Sequence, residues 1–332
     1  MEFGIHSIKP HAAQQVAQRQ FGDCKDKATL MVALLAELGI PAQVALVRTS
    51  DLGQLRDGVA SLGIFNHAIA YVPQLDWWLD ATAVPHGPLE LPDGDASGMA
   101  LRIVEAAHVQ TLPDPRVDRE TSAVTVDLTL DADGAATLLW RGRFAGLAAA
   151  QLRGELAGAA NKKEKLEQEL APRWPGIAVT DVSVAGVEPQ TDVVTVAVTA
   201  RLPKLGTTHQ NRHHFALLRP AVTLLEAWAP LAARQTPLVL PRPIGLHEVV
   251  TVHLPTTMQV VTLPSAVQAS GPAARFTVQA SVDGSKLMLS VDWRVSARHI
   301  AVGDYGAFRS WLAQLDAALR AEVVVETAKA MP

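Results

Sequence analysis

Three residues in one order could carry chemistry: a cysteine, Cys24, a histidine 43 residues on, His67, and an aspartate 13 residues further, Asp80. A thiolate is a strong nucleophile, an imidazole moves protons near neutral pH, and a carboxylate beside that imidazole fixes its tautomer and steadies its charge. Cys24 is the only cysteine in the chain and lies in "QFGDCKDKATLMVALLAELGIP", residues 20–41, where a loop turns into a helix. A thiol in the first turn of a helix feels unpaired backbone N–H groups and the positive end of the helix dipole, and both favour the thiolate. Lys25 and Lys27 push the same way, while Asp23 and Asp26 push against it. Read alone, Cys24 could equally be inert, as most single cysteines are.

His67 and Asp80 fall on neighbouring strand candidates, "FNHAIAYV" (65–72) and "WWLDATA" (77–83), joined by "PQLD" (73–76). A turn there sets Asp80 opposite His67 or within two places of it. Paired strands are about 4.8 Å apart, so the two side chains can touch if they share a face. Each also has a plain reading: His67 as a satisfied, partly buried histidine, and Asp80 as a strand-end acid bonded to backbone N–H groups or to the Thr82 hydroxyl.

The elements that must position these residues are legible. Asp23 is a good N-cap, with Asp26 three residues later in a variant of the capping box. Ala28, Leu30, Met31, Val32, Leu34, Leu35 and Leu38 make a helix that is apolar around much of its circumference, which predicts burial; Gly39 and Pro41 stop it. "AQVALVRT" (42–49) reads as a buried strand, and a polar loop follows over 50–63. Beyond Pro85 the chain is rich in Pro, Gly and Asp as far as Pro115, apart from a short apolar segment, "MALRIVEAAHV" (99–109). That composition places a domain boundary near 110–118 and divides the chain into 1–112 and 113–332. In the second region, hairpins turn at Asp133-Gly134 and Asp283-Gly284. Strand candidates cover 177–187, 192–202 and 247–254. Residues 146–171 have helical spacing interrupted by Gly154 and Gly158, and a final helix spans Asp304 to Arg320 before "VVV".

At 332 residues the chain can hold two domains, each with its own core. The formal net charge is -4 with no basic stripe, so nothing suggests a nucleic-acid partner. No apolar run approaches the roughly 20 residues that span a bilayer. One cysteine allows no internal disulfide. "HQNRHH" brings His209, His213 and His214 close in sequence, but the stretch is not clearly helical and lacks a completing cysteine or carboxylate. No metal site and no cofactor are predicted.

Taken together, "GDCKDKA" at a helix start, "FNHAIAYV" and "WWLDAT" resemble the transglutaminase-like superfamily of cysteine enzymes. The resemblance implies an α+β fold with a papain-like core, its cysteine helix packed on an antiparallel sheet. It implies Cys24 as nucleophile, His67 as general base and acid, and Asp80 as the orienting carboxylate. "EFGIHSIKPH" at the start, and "RQTPLVLPRP", "HEVVTVHLP" and "GDYGAFRSW" later, are similar to a bacterial multidomain subclass with β-rich domains on both sides of the core. Relatives carry a leading β domain and the first core helices before this point, so the resemblance implies that the front of the core is missing here. Such relatives often look exported, although the N-terminus shows no signal-peptide pattern and location stays open. The expected function is a cysteine hydrolase or acyltransferase acting on peptide or protein amides through a thioester; the competing class is a non-catalytic scaffold. In a cleft of that kind, the Cys24 N–H is the natural oxyanion donor, with Gln18 or Gln20 as weaker candidates for a second. Trp78 (or its neighbour Trp77) and Asn66 are the substrate-side candidates.

Overall fold

The N-cap predicted at Asp23 forms. Its carboxylate accepts from the Asp26 N–H at 3.2 Å and opens helix α2, Cys24–Glu37. The reciprocal half of a capping box is replaced by something stronger. Asp26, only 2% exposed, turns its carboxylate to the chain before it. There it accepts from the His11 N–H at 2.8 Å, meets the His11 ring Nδ1 at 3.0 Å, and accepts from Arg19 Nη2 at 3.2 Å. Helix α1, Ala13–Arg19, is thereby tied to the first turn of α2. Burial alone would raise the Asp26 pKa; the His11 hydrogen bonds and charge overcome this and hold it below the usual carboxylate value.

The computed structural model describes residues 9–327, apart from 54, 56–60, 88, 106–107, 116–118, 189–190 and 241–242. "EFGIHSI" at the start lies outside the described residues. Contacts divide the chain into two units, Met1–Arg116 and Val117–Pro332, and both helices and antiparallel sheets are present, giving an α+β fold.

In the first unit, strands β1 (Gln43–Arg48), β2 (His67–Val72), β3 (Trp77–Leu79), β4 (Met99–Arg102) and β5 (His108–Thr111) form one sheet. Its order is β3-β2-β1-β4-β5, with every pair antiparallel. The sequence predicts β1 and β2 closely. It extends β3 over 77–83, whereas only three residues pair before the chain turns, and it leaves β4 and β5 as a bare apolar segment. Ala45, Val47, Ile69, Tyr71, Trp78, Ala100 and Leu112 make the core of this unit. The alternate β2 residues Ala68, Ala70 and Val72 are buried as well, so β2 is covered on both faces.

Helix α2 is less buried than its composition predicts. Asp26 and Ala28 are its fully buried residues, while Leu34 and Leu38 are 57% and 74% exposed. A helix that is apolar all round needs neighbours on two sides. Among the described residues α2 has the sheet and the seven-residue α1. Its remaining apolar side lines an open groove of about 490 Å³ with Val16, Phe21, Leu30 and Met31.

The second unit is built on an eight-stranded sheet, in the order Val267–Gly271, Ala274–Asp283, Lys286–Val295, Ile244–His253, Ser122–Leu130, Ala136–Ala145, Val193–Leu202, Ala178–Ala185. Both Asp-Gly hairpins are present. The helical stretch 146–171 breaks into Leu147–Ala157 and Lys162–Leu170. The final helix, Tyr305–Leu319, buries Phe308, Trp311, Leu312 and Leu315. "HQNRHH" is a strand hairpin rather than a helix, pairing Thr208 with His213 and His209 with Arg212, so the i, i+4 histidines do not share a helical face.

Removing the Asp26 carboxylate should loosen α1 from α2. Charge-assisted hydrogen bonds contribute about 1.5–3 kcal/mol each, but His11 and Arg19 are partly exposed and can return to water. For Asp26→Ala we therefore expect a loss of about 2 kcal/mol, measured as faster amide hydrogen exchange in the first turn of α2. In the wild type that protection should be intact above about pH 4 and fall as the pH drops further, because the folded state holds the carboxyl's pKa down.

Candidate active site

Cys24 is the first residue of α2 and is partly exposed. The ring of His67, as a hydrogen-bonding neighbour, is the largest influence on the thiol pKa and lowers it. Partial burial and the charge of Asp23 oppose the shift; the charge on His67 and the Lys25 backbone N–H assist it. The help therefore comes from the histidine and the helix end rather than from the flanking lysines. Lys25 is spent in an ion pair with the N-cap Asp23.

His67 is the first residue of β2, opposite Val47 on β1. Its Nε2 meets Asp80 Oδ2 at 3.2 Å, with the two side chains 15% and 3% exposed. The register explains the reach. Trp78 pairs with Tyr71 and Leu79 with Ala70, so one further step brings Asp80 level with Ile69, two places from His67 on the same face. Burial works against a charged His67. Hydrogen bonds to Asp80 and Cys24 and the charges of Asp95 and Asp80 outweigh it and raise its pKa to about 10. Asp80 would be raised by burial but is held low by His67 and by the Thr82 N–H and hydroxyl, at 2.7 and 2.8 Å. Asp80 thus closes the strand with a local turn and also faces the histidine.

A further acid joins the group. Asp95 is 2% exposed and its Oδ2 lies 3.8 Å from the same His67 Nε2. Burial raises its pKa to about 7, with Asp80 adding to the shift and the charge on His67 opposing it. Sequence reasoning missed Asp95 because it sits in the Pro- and Gly-rich stretch before β4, where no pattern marks a functional carboxylate. The atoms of His67, Asp80 and Asp95 lie within 4.8 Å of one another. Asp80 also accepts from the Thr82 N–H and hydroxyl.

The two substrate-side candidates both have structural contacts. Trp78 is 5% exposed and packs on Tyr71 with ring centroids 4.2 Å apart; it belongs to the core, and Trp77, at 42%, is the one that faces outward. Strand alternation allows one of two adjacent tryptophans inside, and here it is Trp78. The Asn66 side chain accepts from the Thr49 N–H at 3.0 Å and donates to the Thr49 hydroxyl at 2.7 Å. It braces the end of β1 to the start of β2 rather than presenting a free amide. Gln18 and Gln20 are both exposed, and Gln20 lines the apolar groove beside α2.

Residues 5–81 match the model of the transglutaminase-like superfamily, and the first unit has a transglutaminase-like core. Residues 215–325 match a domain of unknown function that has a solved structure, DUF3858. Among solved structures, the chain is similar to one from Parabacteroides distasonis described as a "putative protease". The TM-score is 0.52 at 13% identity, over 95% of this chain and 46% of that one. The chain thus spans a little under half the length of that structure. Comparison with the curated proteins found no match. Among the described residues no helix is long and apolar enough to cross a membrane.

Two outcomes are expected. Trp78→Ala should destabilise the first unit by about 3–5 kcal/mol, as buried Trp truncations do, whereas Trp77→Ala should leave its urea midpoint nearly unchanged. Because the pKa of His67 is raised on folding, the stability it contributes should be complete below about pH 6.5 and decline as pH rises toward 10. Urea midpoints across that range should therefore fall more steeply for the wild type than for His67→Gln.

Proposed function

We propose that Cys24, His67 and Asp80 act as nucleophile, general base and acid, and orienting carboxylate in a cysteine hydrolase or acyltransferase working on peptide or protein amides. The observation that carries this reading is a His67 ring whose Nε2 meets a buried carboxylate at 3.2 Å and which is the largest influence lowering the pKa of the helix-start thiol. The family match over residues 5–81 and the fold likeness support it.

The lowered thiol pKa and raised imidazole pKa favour a thiolate–imidazolium pair at neutral pH. The thiolate attacks the amide carbonyl, forming the C–S bond and placing negative charge on the carbonyl oxygen. The Cys24 N–H, in the first turn of α2, is the natural donor to that oxygen. As the C–N bond breaks, His67 gives its proton to the leaving amine. A water then attacks the thioester and its proton passes to His67; the acid product leaves and the thiol is restored. If an amine attacks instead, the acyl group is transferred. Hydrolysis is the preferred outcome, because water is always present and no acceptor-amine site is evident among the described residues.

Two measurements test the proposal. Iodoacetamide should alkylate Cys24 rapidly at pH 6–7; a rate that rises only around the ordinary thiol value of about 8.5 would overturn the nucleophile assignment and favour a non-catalytic scaffold. Incubation with a peptide library should leave a hydroxylamine-labile acyl mass on Cys24. Cys24→Ala should abolish that adduct and any amidase activity while the fold, monitored by circular dichroism, is retained.

A further inference from the structure

Asp95 is a buried acid with an unusual set of neighbours. Among the described residues no N–H or O–H donates to its Oδ2, although a buried carboxylate ordinarily collects such donors. Its nearest acidic neighbour is another carboxyl, with an oxygen of Asp80 within 4.8 Å, and two desolvated carboxyls that close favour keeping one proton between them. The loop that carries Asp95 is held firmly. Asp95 N–H donates to the Pro92 carbonyl at 3.0 Å and Gly98 N–H to the Asp95 carbonyl at 2.8 Å. The loop is also pinned from both sides, by Ser50 N–H to the Gly94 carbonyl and Leu112 N–H to the Gly98 carbonyl, each at 2.7 Å. Gly98 permits the close approach, since a Cβ there would stand 2.7 Å from the Asp95 carbonyl oxygen and 2.8 Å from that of Arg48. The chain thus holds a desolvated acid against the ring nitrogen that Asp80 already contacts.

We propose that Asp95 is a positioning residue for His67, a second carboxyl that steadies Asp80 by donating its proton and, once ionised, holds the charge on the imidazolium. This rests on the reading of Cys24, His67 and Asp80 given above. The charged groups around it are accounted for: His67 and Asp80 face it directly, and Cys24, with Asp23 beside it, contributes to the charge around the ring. At acid pH a proton shared by the two carboxyls leaves one negative charge beside the ring. When that proton leaves, Asp95 opposes the loss of the imidazolium proton. The consequence is a wider alkaline range for the thiolate–imidazolium pair than Asp80 alone would give.

The substitution to make is Asp95→Asn, which keeps the shape and can still donate an N–H to Asp80 but cannot ionise. In the full chain, with the His67 ring signals assigned by comparison with His67→Gln, NMR should follow loss of the imidazolium proton. The wild-type midpoint should lie near 10, and in Asp95→Asn it should fall by about one pH unit or more, while the acid limb of iodoacetamide reactivity stays in place. Asp95→Ala should disturb both limbs. A midpoint in Asp95→Asn within about 0.3 units of the wild type would overturn the proposal. A wild-type measurement tests it without any variant: one side-chain carboxyl should titrate near 7 in a 13C experiment, with a small matching step in the His67 signals. The absence of any carboxyl titrating above about pH 5.5 would overturn the proposal too. Failure of the catalytic reading is separate, because it would show as an unreactive Cys24 below pH 8 whatever His67 does.

Discussion

A positive imidazole ring set between a thiol and two buried carboxyls is the constraint around which the first unit is organised. Two carboxylates with atoms within 4.8 Å of one another repel by on the order of 3 kcal/mol at an effective dielectric of about 20. That exceeds a tenfold change in proton occupancy twice over, so the group keeps a proton among its acids unless the imidazolium offsets them. Such a set works only where its members are held rigidly, because a freely moving acid would turn toward water. Each one sits at the end of an element or in a pinned loop: Cys24 at the first turn of α2, His67 at the first residue of β2, Asp80 one residue past β3, and Asp95 in the turn before β4.

The surroundings make sense as devices that fix those ends. The buried Asp26 ties the first turn of α2 to α1 through His11 and Arg19, two positions from the thiol and within the same helical turn. Asn66 and Thr49 close the strand ends beside His67. Trp78 against Tyr71 fastens β3 to β2 two residues before Asp80. Trp78 and Asn66 thus help to fix the strand ends that carry Asp80 and His67. The open apolar side of α2 shows that firmness is concentrated at the N-terminal end of the helix, where the charges are, and not along its length.

The sequence was a good guide where local rules operate. The Asp23 cap, the Gly39 stop, the strands at 43–48 and 67–72 and the two Asp-Gly hairpins all follow from short-range chemistry, and each is present in the structure. It misled where pattern and environment part company. The apolar circumference of α2 implied burial that its neighbours do not supply. A seven-residue strand shrank to three because Asp80 and Thr82 prefer a local turn. The histidines of "HQNRHH" lie in a β-hairpin, so helical spacing did not apply to them.

The sequence by itself determined which groups could do chemistry and in what order. A lone thiol at a capped helix start, a histidine at a strand start and an aspartate one turn later are properties of residue type and short-range spacing. Only the tertiary structure decided how those groups are charged. The partner that lowers the pKa of Cys24 is His67, 43 residues away, and not the adjacent lysines. The role of Trp78 depended on which face of β3 meets the core. Asp95 became visible only when the loop before β4 brought it 3.8 Å from His67. The physical reason is the same in each case: burial and electrostatic fields act through space, and short-range sequence rules do not encode distances between residues far apart in the chain.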